Sequence, residues 1–333
     1  MRQPLAAYTF LCLAPVVIIA WPGSSLLKAD EAENHYTEGL GQQARGDLAQ
    51  AIAEYRKAIE LRPAYADAHL KLAMGLHLQG ELDPAIAEYR QALRLNTTDP
   101  ATAHSDLGVA LAARGDLAGA VAEQRESIRL EPERPESYNN LGIALRSQGD
   151  VDGAIAEYQE ALRIEPEYAE ALNNLGNALT AKNDWSGALE RYRQALGAKP
   201  DYADAHNNLG IALAHQGDLK GAEGEYHAAL GITPASVQAH YNLAMTLKAE
   251  GDLEGAAAEY REAIDLDPRY ADAHNNLGVV LKLQAKYEAA AGEFRQAMAL
   301  RPDDPVFRGN LSLVLAESAR LKHAKVAMNG AVE

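Results

Sequence analysis

The chain has 333 residues, 47% of them hydrophobic, with 31 Lys and Arg against 47 Asp and Glu, a formal charge of −16. That content supports a folded core. The acidic balance argues against nucleic acid, whose phosphates need a basic surface, and against docking on anionic lipid. Cys12 is the single cysteine, which leaves no material for an internal disulfide, a thiolate zinc site or cysteine-protease chemistry.

Arg2 is followed by seventeen uncharged residues, Leu5 to Trp21, and then by Pro22-Gly23-Ser24-Ser25. A charged start, an apolar middle and small residues describe a secretory signal over residues 1–25. Cleavage after Ser25, with Gly23 at −3, fits better than cleavage after Ala20, with Ile18 there. The alternative is an uncleaved anchor. For that, residues 5–21 are short of the ~20 needed to span a bilayer and are interrupted by Tyr8, Thr9 and Pro15. Leu11 before Cys12 disfavours a lipoprotein signal. Export, to the periplasm or outside the cell, suits a mature chain without cysteine. Residues 26–31 read as a linker.

From Ala32 onward the chain repeats. YADAHNNLG stands at Tyr202–Gly210 and again at Tyr270–Gly278, and YAEALNNLG at Tyr168–Gly176. Eight units follow in phase: 32–65, 66–100, 101–134, 135–168, 169–202, 203–236, 237–270 and 271–304, all of 34 residues except the second, which has 35. A ninth half-unit with a capping helix and tail occupies 305–333. Each unit predicts two helices. In the fourth, Tyr138, Leu141, Gly142 and Leu145 form one apolar stripe, Gly149-Asp150 breaks it, and Ala154, Ile155, Tyr158, Ala161 and Leu162 form a second. Gly46, Gly80, Gly115, Gly149, Gly217 and Gly251 recur at that break, where a left-handed residue closes the first helix. Asn183 is the next best choice there, and Ala285 a poor one. Pro135 and Pro305 open first helices, where a missing N–H costs nothing.

Small residues predict close helix contacts. Ala51, Ala85, Ala120, Ala154, Ala188, Ala222, Ala256 and Ala290 share one phase, and Gly108, Gly142, Gly176, Gly210 and Gly278 another. Tyr55, Tyr89, Tyr158, Tyr192, Tyr226, Tyr260 and Phe294 share the phase expected to fill the gap to the next unit. One helix pair cannot bury both faces, so neighbours must stack.

The pattern of aromatic or His, Leu-Gly, Ala, Tyr, Ala and Pro over 34 residues resembles the tetratricopeptide repeat family. The NNLG and YADAH wording is similar to the repeat region of O-linked N-acetylglucosamine transferases. The resemblance implies an all-α, right-handed superhelical solenoid of antiparallel helix pairs, with a concave groove lined by first helices. The pattern is broken by Glu38 in the first unit, by Thr97 and an added residue in the second, and by Gln124 and Ser127 in the third. The weakest stacking joint is therefore expected between Asn96 and Ser127.

Asn140, Asn174, Asn208, Asn242, Asn276 and Asn310 share one phase, which the resemblance places in the groove; Asp106 holds it in the third unit. A carboxamide donates and accepts at once, as a peptide backbone requires, so this column is the candidate peptide-binding ladder. Asn139, Asn173, Asn207 and Asn275, one residue earlier, widen the strip. The bland reading is that Asn is common at this phase. His35, His69, His104, His206, His240 and His274 form another column. Zinc–nitrogen bonds are ~2.0–2.1 Å, and successive repeats are too far apart to share one ion, so packing is expected rather than a metal site.

Glu33, Asp67, Glu136, Glu170, Asp204 and Asp272 mark first-helix starts, where acids suit the helix dipole and can form an acidic groove edge. In family members that clamp a C-terminal carboxylate, bases hold part of this edge, so no such clamp is expected. Lys71, Arg146, Lys248 and Lys282 are the bases at groove phases. Glu54, Glu88, Glu123, Glu157, Glu225, Glu259 and Glu293 read as a solvated face. No phosphate loop, GxSxG or HExxH pattern appears. The expected protein is a scaffold with no catalytic residues, no cofactor and no metal. It would bind a neutral or basic protein segment, and touch a membrane only through residues 5–21. The alternatives are an accessory relative of a glycosyltransferase repeat region and a self-associating structural solenoid.

Overall fold

The computed structural model describes the backbone of residues 22–330 and the side chains of residues 29–323. Residues 1–21 of the expected signal or anchor therefore lie outside the described residues. The described residues are helix and turn without a strand, and they divide into two compact units between Asp116 and Leu117. The first unit holds α1 (Pro22–Ala44), α2 (Leu48–Leu61), α3 (Ala66–Leu78), α4 (Leu82–Arg94) and α5 (Pro100–Arg114). The second holds α6 (Leu117–Leu130), α7 (Pro135–Ser147), α8 (Val151–Ile164), α9 (Ala169–Ala181), α10 (Trp185–Ala198) and α11 (Ala203–His215). It continues with α12 (Leu219–Ile232), α13 (Val237–Glu250), α14 (Leu253–Leu266), α15 (Ala271–Leu283), α16 (Tyr287–Leu300) and α17 (Pro305–Gly330). Within each unit every helix packs on its neighbours in sequence, and in the second unit α7, α9, α11 and α13 also touch in succession. Residues 26–31, expected as a linker, are instead part of α1.

Most hairpins are closed by two adjacent residues, although Glu81 in the second supplies no side-chain cap. Gly149, at φ 91°, turns the chain out of α7, and the Asp150 carboxylate accepts from the Gly153 N–H to cap α8 at 2.9 Å. Asp47, Asp184, Asp218 and Asp252 cap their helices in the same way. Only a backbone free of Cβ crowding reaches that conformation cheaply, yet Asn183 adopts it at φ 62° and Ala285 at φ 59°. The eighth hairpin also lacks the cap, since no side chain of Lys286 bonds the start of α16.

The aromatic column lies over the first helix of its own repeat and also reaches the next one, as the periodicity suggested: Tyr192 lines a cavity with Asn208 and Ile211 of the sixth unit, and Tyr226 one with Met245 and Thr246 of the seventh. A Cβ on Gly142 would stand 2.5 Å from Cε1 of Tyr158, one on Gly210 would stand 2.6 Å from Tyr226, and one on Gly278 would stand 2.7 Å from Phe294. Gly39 meets Tyr55 in the same way. The missing side chain is the space the ring occupies. The rings and the alanine column are buried almost completely, and burying a ring of this size is worth about 1.5–3 kcal/mol.

The irregular stretch is compensated by polar pairs. Asn96 takes a left-handed turn at φ 57°, after which the Thr97 and Thr98 hydroxyls both donate to Asp67, at 2.7 and 3.0 Å. Ser127 is fully buried, and its hydroxyl meets that of Ser137 at 2.7 Å. Gln124 is buried where the other repeats place an aromatic ring.

Candidate functional site

The asparagine column forms a ladder between repeats. Nδ2 of Asn174 donates to Oδ1 of Asn139 at 3.0 Å, Asn208 to Asn173 at 2.9 Å, Asn242 to Asn207 at 3.0 Å and Asn310 to Asn275 at 2.8 Å. Where the seventh unit has Tyr241 instead of an acceptor Asn, its hydroxyl accepts from Asn276 at 2.8 Å. Asn139, Asn173, Asn242 and Asn275 are buried, and Asn140, Asn174, Asn207, Asn208, Asn276 and Asn310 are half-buried. The column is thus not the freely exposed strip the resemblance implied. Its N–H groups hold neighbouring first helices together, and carbonyl lone pairs remain for other partners.

The histidine column is a second device. In the first, second, sixth, seventh and eighth repeats Nδ1 meets a second-helix carboxylate nineteen residues on: His35 with Glu54 (2.5 Å), His69 with Glu88 (2.5 Å), His206 with Glu225 (2.6 Å), His240 with Glu259 (2.6 Å) and His274 with Glu293 (2.7 Å). In His69, His206, His240 and His274 the Nε2 faces the carbonyl of a preceding proline, Pro63, Pro200, Pro234 or Pro268, at 3.0–3.2 Å. The Glu column, expected as a solvated face, is therefore engaged, and the His column does more than pack. Carboxylates and carbonyls only accept, so His69, between the Glu88 carboxylate and the Pro63 carbonyl, is held best with both nitrogens protonated. Burial of His69 opposes its charge, but Glu88 and the Pro63 carbonyl outweigh burial and hold it above the usual histidine value. Tyr138 replaces histidine in the fourth unit and donates to the Pro132 carbonyl at 3.1 Å. Half-buried Glu157 is pushed up by desolvation. Among the described residues no cluster of three His, Cys, Asp or Glu could hold a metal ion.

Most of the acidic edge is neutralised. Arg62 pairs with Glu33 at 3.0 Å, Lys199 with Glu170 at 3.0 Å, Arg301 with Asp272, and Arg134 approaches Glu136 at 4.0 Å. The Tyr65 hydroxyl, then Arg62, holds Glu33 below the usual carboxylate range. The strongest reason to expect a basic ligand is therefore gone. The groove bases differ. Lys282 stands 3.8 Å from Glu317. Lys248 is half-buried and pushed down by desolvation. Arg146 is exposed, with no carboxylate in ion-pairing reach among the described residues.

Two adjoining cavities open on the first helices of the second unit. One, of about 350 Å³, is lined by Arg146, Asn177, Thr180, Tyr192, Asn208 and Ile211. The other, of about 340 Å³, is lined by Trp185, Ile211, His215, Leu219, Met245 and Ala249, among others. Trp185 and His215 stack face to face there, with centroids 3.7 Å apart and planes at 12°. The column of Ile143, Asn177, Ile211, Met245 and Val279, three residues after the Asn ladder, was not singled out in the sequence. Its signal was its period, hidden because its residue type varies.

A tetratricopeptide repeat model, described as TPR repeat, matches residues 44–74, 142–180, 176–217 and 246–285, and another, described as Tetratricopeptide repeat, matches 79–135. Together they take in more than half of the chain. The chain belongs to the tetratricopeptide repeat family. Among solved structures, the Cut9–Hcn1 hetero-tetramer of the APC/C is similar at a TM-score of 0.65 and 16% identity, over 80% of this chain and 52% of that one. This tetratricopeptide repeat chain thus spans about half the length of that relative. Pseudomonas aeruginosa pilF is similar at a TM-score of 0.56 and 22% identity, over 67% of this chain and 99% of that one. At these identities the likeness is one of fold. No curated protein matches, and no enzymatic family is indicated. Among the described residues no helix is long and apolar enough to cross a membrane.

Proposed function

We propose that this tetratricopeptide repeat chain is a non-enzymatic scaffold that holds an extended protein segment against the first helices of its second unit. One observation carries the reading: two adjoining cavities share Ile211 on a face that joins half-buried carboxamides to apolar side chains. That mixture suits a peptide, whose backbone needs donors and acceptors while its side chains need apolar contact. The apolar run from Leu5 to Trp21 supports an exported scaffold, or one anchored by that run. A photoreactive residue at Ile211 should crosslink a partner in the source cell, while one at exposed Glu190, away from both cavities, should not. Equal crosslinking at the two positions would overturn the reading. The mass of the native N-terminus tests export, and an intact Met1 would count against cleavage.

A second reading, self-association, is favoured by exposed Val306, Leu313, Leu315 and Leu321 on α17. It requires a mass in light scattering that rises with concentration.

A further inference from the structure

The two cavities differ in chemistry, and the difference specifies a ligand if the face binds a protein segment as proposed above. The first contains a guanidinium without a carboxylate partner. Arg146 sits beside the Tyr158 and Tyr192 hydroxyls, with the carboxamides of Asn177 and Asn208 in the same cavity. An exposed guanidinium of this kind is satisfied by a carboxylate, which can accept two of its parallel N–H groups. Of the groove-edge acids in this unit, Glu170, Asp272 and Glu136 are paired with Lys199, Arg301 and Arg134, and none of them, nor Asp204, stands within ion-pairing reach of Arg146.

The second cavity contains no carboxylate, lysine or arginine. A charge placed there would lose its water without gaining a partner, whereas a large apolar side chain would meet the Trp185–His215 stack, Met245 and Leu219. Trp185 is particular to this place. The equivalent first residue of the second helix is Leu48, Leu82, Leu117, Val151, Leu219, Leu253 or Tyr287 elsewhere.

The spacing follows from the scaffold. α9, α11 and α13 touch in succession, and the Asn208 to Asn173 bond crosses between α11 and α9. Touching helices lie roughly 8–10 Å apart, and an extended chain advances about 3.3 Å per residue. Neighbouring cavities are thus about three residues apart along a bound segment.

We propose that the second unit selects protein segments in which an acidic side chain and a large apolar side chain stand about three residues apart, the acid at Arg146 and the apolar group against Trp185. The acid gives direction and the apolar group gives grip.

The test is selection of displayed random dodecapeptides on the full chain. Winning peptides are then measured by fluorescence anisotropy against the wild type, Arg146→Glu and Trp185→Leu. The leucine variant restores the residue of most other repeats, and both variants are checked for unchanged melting. The expected result is enrichment of an acid and a large apolar residue about three apart, in one of the two orders. Arg146→Glu should weaken these peptides about tenfold and favour versions with Lys in place of the acid. Trp185→Leu should weaken them about five- to tenfold. Peptides that compete with one another at Ile211 but lack the pair, or ignore both variants, would overturn this inference and leave the scaffold reading standing. If no peptide is enriched, the groove reading fails and this one with it.

Discussion

The ring of Tyr158 lies where a side chain on Gly142 would be, its Cε1 only 2.5 Å from an ideal Cβ. Gly to Ala in a helix usually stabilises by about 1 kcal/mol. Here the added methyl must displace a buried ring, and overpacking costs about 1–3 kcal/mol. Gly142→Ala should therefore be neutral to destabilising, by up to about 2 kcal/mol in a urea titration. A gain of 1 kcal/mol would show that the ring moves freely. Ala244 opposite Tyr260 shows that another repeat has settled this contact differently.

The asparagine ladder should contribute to stability. Each lost inter-repeat bond costs about 0.5–1.5 kcal/mol, so replacing Asn174, Asn208 and Asn242 together by Ala should cost about 1.5–4.5 kcal/mol. An unchanged denaturation midpoint would mean that the ladder is idle and its amides are free for ligand.

The pairing of His69 with Glu88 makes stability depend on pH. The folded pKa of His69 lies above its ordinary value, near 6.5, so its contribution is complete below the unfolded pKa and fades as pH rises through the folded one. Arg94 of α4 opposes the charge, and Glu88 of the same helix supports it. Glu54 is held down by Lys57 first and His35 second. Its contribution is present above the unfolded pKa of about 4.3 and is lost as pH falls through the folded one. The melting temperature should be highest between about pH 4.3 and 6.5 and decline on the alkaline side. His69→Leu with Glu88→Arg, copying Leu172 and Arg191 of the fifth repeat, should flatten that alkaline decline. A decline as steep as in the wild type would assign it to other groups.

The eighth hairpin is the one to repair. Ala285 holds a left-handed turn at φ 59°, at a cost of about 1–2 kcal/mol, and Lys286 supplies no cap. Ala285→Gly and Lys286→Asp should each raise stability by about 1 kcal/mol, read as an upward shift of the thermal midpoint. No shift in the double variant would mean that this hairpin is already open when the array melts.

Amides between Asn96 and Ser127 should exchange faster than those elsewhere in the array, apart from its fraying ends. The polar pairs at Asp67 and Ser137 restore hydrogen bonds there but not the apolar burial of an aromatic and an alanine. Uniform protection from α2 to α16 would count against a weak joint.

The fold was legible because one period fixes both helices. The units counted from Ala66, Pro135, Ala169, Ala203, Val237 and Ala271 begin where α3, α7, α9, α11, α13 and α15 begin. Columns are legible in a sequence, but which column faces which is not. The His-to-Glu relation crosses from one helix to the next, and the Asn relation crosses from one repeat to the next, so neither shows as a stripe. The first left a trace, since Leu172 replaces histidine in the repeat where Arg191 replaces glutamate. The cavities left less, because Trp185 stands once and the phase of Arg146 varies, with Ala112, Thr180 and Ala214 among its residues as well as Lys248 and Lys282.

Each repeat of the asparagine ladder carries both halves of its own coupling: the donor Asn that reaches back and the acceptor beside it that receives the next. Copying such a segment in tandem reproduces a joint that already fits, at both ends of the copy and without a compensating change. The array could therefore lengthen by duplication alone. Tyr241, which accepts in place of an asparagine, shows that one connector can later be exchanged without uncoupling its neighbour.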